Sequence, residues 1–244
     1  MSAANAADCP RSGVLGTSRV LVVDAKKFPN VGLKSFPQTL PLAEKEVVLT
    51  FDDGPFPRTT TKVLAALASE CVLATFFIIG KSAETYPDIV RKTAAAGHSI
   101  GHHTWSHPPL DRIDQAAALK DIDRGIETDE LALHDSKNRT STMFFRFPGF
   151  ASTPPLLESL KSRRIAVFGA DLWASDWNVM SPRQELRLLS SRLDSAGKGI
   201  ILLHDTKIQT ANMLPEFLRY LRTNGYKVVH VVPAEANRSA SDEK

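Results

Sequence analysis

Glu46-Val-Val-Leu-Thr-Phe51, closed by Asp52-Asp53-Gly54-Pro55, is the stretch that decides the fold class. The run is apolar on both faces, as a strand inside a covered sheet must be, and Gly-Pro stops it. Upstream, Val20–Val23 is a shorter strand-like run. Downstream, strands and helices alternate. Helical spacing at Thr60–Ser69 puts Val63, Leu64, Leu67 and Ala68 on one face, and Ala74–Ile79 follows as a strand ending at Gly80. A helix at Tyr86–Ala96 stops at Gly97, His98–Ile100 is a short strand, and Ile113–Leu133 is a long amphipathic helix before the polar loop Asp135–Thr142. Strands at Met143–Phe147, Ile165–Phe168, Gly199–Leu203 and Lys227–Val232 then alternate with helices at Pro155–Lys161, Pro182–Leu193 and Leu214–Thr223. Such repetition predicts an α/β fold with a parallel sheet covered by helices. Periodicity leaves an open sheet and a closed barrel unseparated. No linker interrupts residues 46–232, which are read as one domain; residues 1–45 are an N-terminal arm with the first elements, and 233–244 a polar tail.

Composition narrows the function classes. The 244 residues are 43% hydrophobic and 23% charged, which excludes a disordered or collagen-like chain. A formal charge of +3, with no basic run longer than Lys161-Ser-Arg-Arg164, argues against a nucleic-acid partner. No apolar stretch approaches the roughly 18 residues of a membrane span. Two cysteines, Cys9 and Cys71, exclude a disulfide scaffold or a Cys-based zinc site; they are either unrelated thiols or one staple for the arm. Ala4-Asn5-Ala6 before Ala7-Asp8 has the small residues of a secretory cleavage site, without the apolar stretch that precedes one, and leans the expectation towards a periplasmic or extracellular protein.

Ionisable residues collect just after the strands: Asp52-Asp53, His102-His103, Arg146, Asp171 with Asp176, and His204-Asp205. The C-terminal ends of parallel strands converge on one mouth in barrel enzymes, so this register predicts a site. His103-Thr-Trp-Ser-His107 spaces two imidazoles one helical turn apart, in a short turn ended by Pro108-Pro109. With one carboxylate, Asp53 or Asp52, they make a catalytic zinc set with a position open for water. A rival reading exists. Gly97-His-Ser99-Ile-Gly101 matches a nucleophile elbow, with Asp176 and His204 following in hydrolase order, although a helix precedes it and prolines follow. Arg146 could face a carboxylate, Gly149 could leave a backbone N–H for an oxyanion, and His204 is either a satisfied core histidine beside a helix-capping Asp205 or, ending the most apolar strand, a general acid. Trp173 and Trp177 are either core or flat faces for sugar rings.

Together these residues resemble the polysaccharide deacetylase family, the NodB-homology domain of carbohydrate esterase family 4, over about residues 46–232. Five motifs stand in the family's order: Thr50-Phe-Asp-Asp-Gly-Pro55, His103-Thr-Trp-Ser-His107, Arg146-Phe-Pro-Gly149, Asp176-Trp177 and Leu202-Leu-His204. The resemblance implies a distorted (β/α) barrel of about seven parallel strands. It implies that Asp53, His103 and His107 hold a divalent metal, zinc first and Co2+ or Mn2+ as alternatives. Asp52 would be the base, Arg146 its orienting partner, and His204 the acid kept charged by Asp176. Trp177 and Leu202 would shape the acetyl pocket. The family's aromatic residue after Arg-x-Pro is here Gly149, with Phe150 next, which alters the oxyanion loop. The implied activity is metal-dependent removal of N-acetyl groups from a glycan containing N-acetylglucosamine. Chitooligosaccharide is preferred over peptidoglycan because the chain is small and carries no wall anchor. A non-catalytic sugar-binding barrel and a serine esterase using Ser99 are the alternatives. If the protein is exported, Cys9 and Cys71 pair.

Overall fold

The computed structural model describes residues 12–133 and 143–234; Cys9, the expected polar loop and most of the expected tail lie outside the described residues. The run that decides the fold is β3 (Glu46–Asp52), and all seven of its residues are buried. Val47, Leu49 and Phe51 join the core under the helices, whereas Val48 joins the barrel interior, so a strand wet on neither face still alternates its side chains.

Around β3 the described residues form ten strands, and every pair in the sheet is parallel. β9 (Gly199–His204) runs along one edge of β3, from Val47↔Gly199 to Asp52↔His204. The other edge splits: β4 (Thr75–Ile78) takes the C-terminal half, while β10 (Lys227–Pro233) takes only Glu46 and Val47 and carries β1 (Thr17–Val23) beyond it. From β4 the sheet continues through β5 (Ser99–His102), β6 (Phe144–Phe145) and β7 (Ala166–Phe168) to β2 (Asn30–Val31), and β8 (Leu172–Trp173) lies outside β9. Asp171 ties the two ends of this curl together. Its carboxylate accepts from Leu33 N–H (2.8 Å), Thr39 Oγ1 (2.7 Å) and Ile200 N–H (2.7 Å). The result is a distorted barrel filled by Phe77, Phe144 and Phe168, the Phe168 ring in contact with the other two.

Helices α1 (Pro57–Ser69), α2 (Gly80–Thr85), α3 (Pro87–Ala95), α4 (Gln115–Leu133), α5 (Pro154–Ser162), α6 (Pro182–Ala196) and α7 (Ile208–Thr223) surround the barrel. Ser181 and Gln184 close a capping box on α6, and Gly197 ends it at φ +73°. Four elements differ from the sequence expectation for local reasons. β2 and β8 are two residues long and α2 six, too short to show a period. Helix α7 starts at Ile208 rather than Leu214, because Pro215 inside it reads as a beginning.

Candidate active site

The paired acids come first. Successive strand residues point to opposite faces, so Asp52 and Asp53 would diverge in an unbroken strand. β3 instead ends at Asp52, and Asp53 turns to φ +76°, a left-handed conformation that Asp tolerates better than most residues. Both carboxylates therefore face the mouth. Gly54 is required by close approach, since a Cβ there would stand 2.2 Å from Asp205 Oδ2. Asp205 does not cap α7 as expected. It is fully buried behind that glycine, accepts from Thr60 Oγ1 at 2.5 Å, and is pushed up by burial to about 7.

Arg146 leaves β6 into the barrel and is fully buried. Its guanidinium donates to Asp52 Oδ1 (2.7 Å), Thr50 Oγ1 (2.8 Å), Phe168 O (3.1 Å) and Gly169 O (2.7 Å). Four acceptors in fixed directions suit a planar fork and explain an arginine rather than a lysine.

His103 and His107 do not share a helical turn as expected. The segment between them is a loop with Thr104 at φ +66° and His107 at φ +60°. Asp121 of α4 pins it, accepting from Trp105 N–H and Ser106 N–H through Oδ1 and from Ser106 Oγ through Oδ2. Gly125 allows this approach, because a Cβ there would lie 2.5 Å from Thr104 C. His103 Nδ1 donates to the Arg146 carbonyl at 2.7 Å, which leaves Nε2 as the free lone pair. Nε2 of His103 and of His107 lie 3.5 Å and 3.3 Å from Asp53 Oδ1. That oxygen is buried with no hydrogen-bond partner. Burial raises the Asp53 carboxyl, but His103, His204 and His107 together hold it well below the usual range. Burial, helped by His103, lowers His107. Ligand atoms of Asp53, His103 and His107 all lie within 4.8 Å of one another. Two imidazole nitrogens and an orphaned carboxylate oxygen fit a divalent cation.

Opposite them, His204 ends β9. Asp176 grips it twice, accepting from His204 N–H and from Nδ1, both at 2.7 Å. Burial alone would lower the imidazole; Asp176 outweighs it and pushes His204 up to about 9. Thr210 Oγ1 lies 2.8 Å from Asp176 Oδ2 and 2.9 Å from Glu185 Oε1. A hydroxyl has one proton to give, so a second proton must sit on one of these carboxyls. Burial pushes Glu185 up to about 7 and marks it as the holder, donating to Thr210 while Thr210 donates to Asp176.

A cavity of about 360 Å3 joins these groups; Asp52, Asp53, His103, His107 and His204 line it with Gly149, Phe150, Trp177 and Leu202. Leu202 stands beside Trp173 in register, and Trp177 meets His204 edge-on at 6.0 Å. Gly149 sits at φ +56° with nothing near a Cβ, and Phe150 N–H is spent on Phe147 O in the same turn. The donor this loop can offer is the Gly149 N–H.

Three expected members belong elsewhere. His102 turns away from the mouth to Asp129 of α4, with Nδ1 2.8 Å from Oδ2. Asp171 serves the seam of the barrel. Ser99 opens β5 at the opposite end of the barrel, donates to Val231 O (2.6 Å) and lies 2.9 Å from His230 Nε2, so it has no elbow and no access to the Asp176–His204 pair.

A family model described as polysaccharide deacetylase matches residues 40–167. A chitooligosaccharide deacetylase of Azorhizobium caulinodans is 35% identical over 163 residues, 66% of this chain and 74% of that one. The chain belongs to the polysaccharide deacetylase family. A second family relative, the peptidoglycan-N-acetylmuramic acid deacetylase of Bacillus subtilis, is 29% identical over 85% of this chain. Here the chain spans 42% of the relative's length. Among solved structures of polysaccharide deacetylases, the peptidoglycan deacetylase of Bdellovibrio bacteriovorus superposes with a TM-score of 0.78 at 29% identity, over 94% of this chain and 63% of that one.

Sequence reasoning missed the supports behind the family's motif residues. Glu185, Thr210, Asp121 and Thr60 lie on helices, where a polar residue reads as a solvated face. Only the burial of Glu185 and Thr210 reveals them, and no sequence period carries that signal.

Proposed function

We propose that the chain hydrolyses the N-acetyl amide of N-acetylglucosamine units in a glycan, with a divalent cation on Asp53, His103 and His107. Zinc is the first candidate, and Co2+ and Mn2+ are the alternatives. The observation that carries the reading is the meeting, in one cavity, of that donor set with an Arg146-held carboxylate and an Asp176-held imidazole. When bound, the cation would supply Lewis-acid polarisation of the acetyl carbonyl and acidify a water.

The chain's own residues supply the proton chemistry. Asp52 is the base: Arg146 occupies Oδ1, which leaves Oδ2 for the proton of the attacking water. A positioned base is worth about 10²–10⁴ in rate. Arg146 fixes the direction of that carboxylate without competing for the proton. His204 is the acid. With Nδ1 bound to Asp176, its Nε2–H faces the cleft and is still present at neutral pH. As the C–N bond breaks, His204 gives that proton to the sugar nitrogen, and the water's oxygen stays with the acyl carbon as acetate. Gly149 N–H is the backbone donor to the carbonyl oxygen, and Leu202 and Trp177 wall the acetyl methyl. The substrates that name the relatives, peptidoglycan and chitooligosaccharide, support N-acetylated glycans as the class.

The test is acetate release from such glycans by the purified protein. Activity lost to a chelator, restored by zinc and indifferent to a serine-directed inhibitor supports the reading. Activity indifferent to the chelator refutes it.

A further inference from the structure

Beside the catalytic cavity lies a second, larger one of about 700 Å3, and Lys207 lines both. Its other walls are Phe56, Arg58, Thr59 and Lys62 from the start of α1, and Thr206, Ile208 and Gln209 from the start of α7. Three cations line it, and none of its lining residues is Asp or Glu. Helices follow strands in this barrel, so α1 and α7 both begin at the mouth, each at least 13 residues long. Their N-termini add the positive ends of two dipoles to the same groove. Neither helix carries an acid in its first turn, and neither has a side-chain cap to take up its leading N–H groups. Phe56 and Ile208, 42% and 48% exposed, give the groove an apolar floor.

We propose that this groove is a subsite for a carboxylate on the glycan, and that the protein acts on acidic N-acetylated glycans in preference to neutral ones. The proposal rests on the deacetylase reading above and names its substrate class. A strand whose N-acetylglucosamine enters the catalytic cavity must lay a neighbouring unit along one side of it. On the Lys207 side that unit meets positive charge only. Neutral chitooligosaccharide offers nothing for three cations to pair with. A peptidoglycan strand does, through the lactyl ether of its alternate sugar or the peptide attached there. This runs against the expectation from chain size, which favoured chitooligosaccharide.

The experiment uses the whole protein loaded with zinc and three substrates: peptidoglycan glycan strands with free carboxylates, the same strands with those carboxylates converted to methylamides, and chitotetraose. Acetate release gives kcat/KM for wild type and for the double variant Arg58→Ala/Lys62→Ala, whose residues lie outside the catalytic cavity. Exposed ion pairs are individually weak, so their joint effect in wild type is expected to be about tenfold in favour of free carboxylates at low salt. That preference should shrink towards unity as salt rises, because exposed charges are screened. The double variant should lose the preference and keep the wild-type rate on chitotetraose. Equal rates on the free and amidated strands, or a preference that survives in the variant, overturns the subsite. No acetate from any of the three glycans overturns the deacetylase reading on which it rests.

Discussion

Replacing Arg146 by Met tests how the barrel interior is held together. The side chain is fully buried, and its loss strands three kinds of acceptor at once: the Asp52 carboxylate, the Thr50 hydroxyl and the carbonyls of Phe168 and Gly169. Breaking a buried pair from one side costs about 3–5 kcal/mol, because the remaining charge has neither water nor partner. Each orphaned carbonyl adds about 1 kcal/mol or more. Arg146→Met is therefore expected to lose about 5 kcal/mol or slightly more, a large part of the about 5–15 kcal/mol available to a domain. Asp52→Asn keeps an acceptor for Nη1 and removes only the charge, so about 2–3 kcal/mol is expected. The two should not add. With the carboxylate already neutral, Arg146→Met costs only its lost hydrogen bonds and packing, and the double variant should be about 2–3 kcal/mol more stable than the sum of singles predicts. Urea unfolding of all four proteins in chelator, so that cation binding does not enter, measures the cycle. Additivity within about 0.5 kcal/mol would refute the claim that Arg146 acts chiefly as counter-charge to Asp52.

The paired acids should separate by metal content: Asp53→Asn loses bound zinc and activity together, whereas Asp52→Asn keeps zinc and loses about 10²–10⁴ in turnover; metal per chain measured beside acetate release checks both, and the opposite pattern exchanges their roles. Glu185→Gln can still donate to Thr210 and should keep the wild-type pH–rate profile, while Glu185→Leu and Thr210→Val should pull the alkaline limb set by His204 to lower pH; three identical profiles would sink the relay. His98 and His230 are buried and lowered by burial to about 4, so their neutral forms favour the fold. The stability they contribute is complete above the unfolded value near 6.5 and is lost as pH falls towards 4, up to about 3 kcal/mol for each; urea midpoints from pH 7 to 5 should fall more steeply for wild type than for His230→Gln, and equal slopes reject the account. If the protein is exported, thiol titration of the unfolded, unreduced protein should find neither Cys9 nor Cys71 free; two free thiols end that expectation and weaken the case for export.

Legibility in the sequence followed the strength of local signals. β3 and β9 were readable because dense apolar runs, Val47–Leu49 with Phe51 and Ile200–Leu203, have few other uses, and the charged residues after them inherit their position from the strand. Closure of the barrel was not readable. It depends on two-residue strands and on Asp171, whose three partners lie 138, 132 and 29 residues away in the chain. Residue type also misled where two neighbours differ only in the face they occupy. His102 and His103 are adjacent, yet one points to α4 and the other to Asp53, and the boundary of β5 alone decides which. The turn between His103 and His107 looked helical because a spacing of four fits a helix. Two left-handed residues and Asp121 produce the same convergence without one.

The same two neighbouring acids show why partners, rather than positions, settle chemical roles. Asp52 and Asp53 are consecutive, share a cavity and both face its mouth. A guanidinium holds Asp52 through one oxygen. It never gives up its own proton, so the second oxygen remains a basic site as long as the pair is intact. Imidazoles surround Asp53, and each can turn a lone pair, rather than a proton, towards the same point. A carboxylate facing lone pairs suits a cation between them, which is the arrangement the proposed metal site requires. Its buried, unpartnered Oδ1 is what that arrangement leaves when only protein atoms are counted. Exchanging the partners would exchange the roles, even with both aspartates left in place.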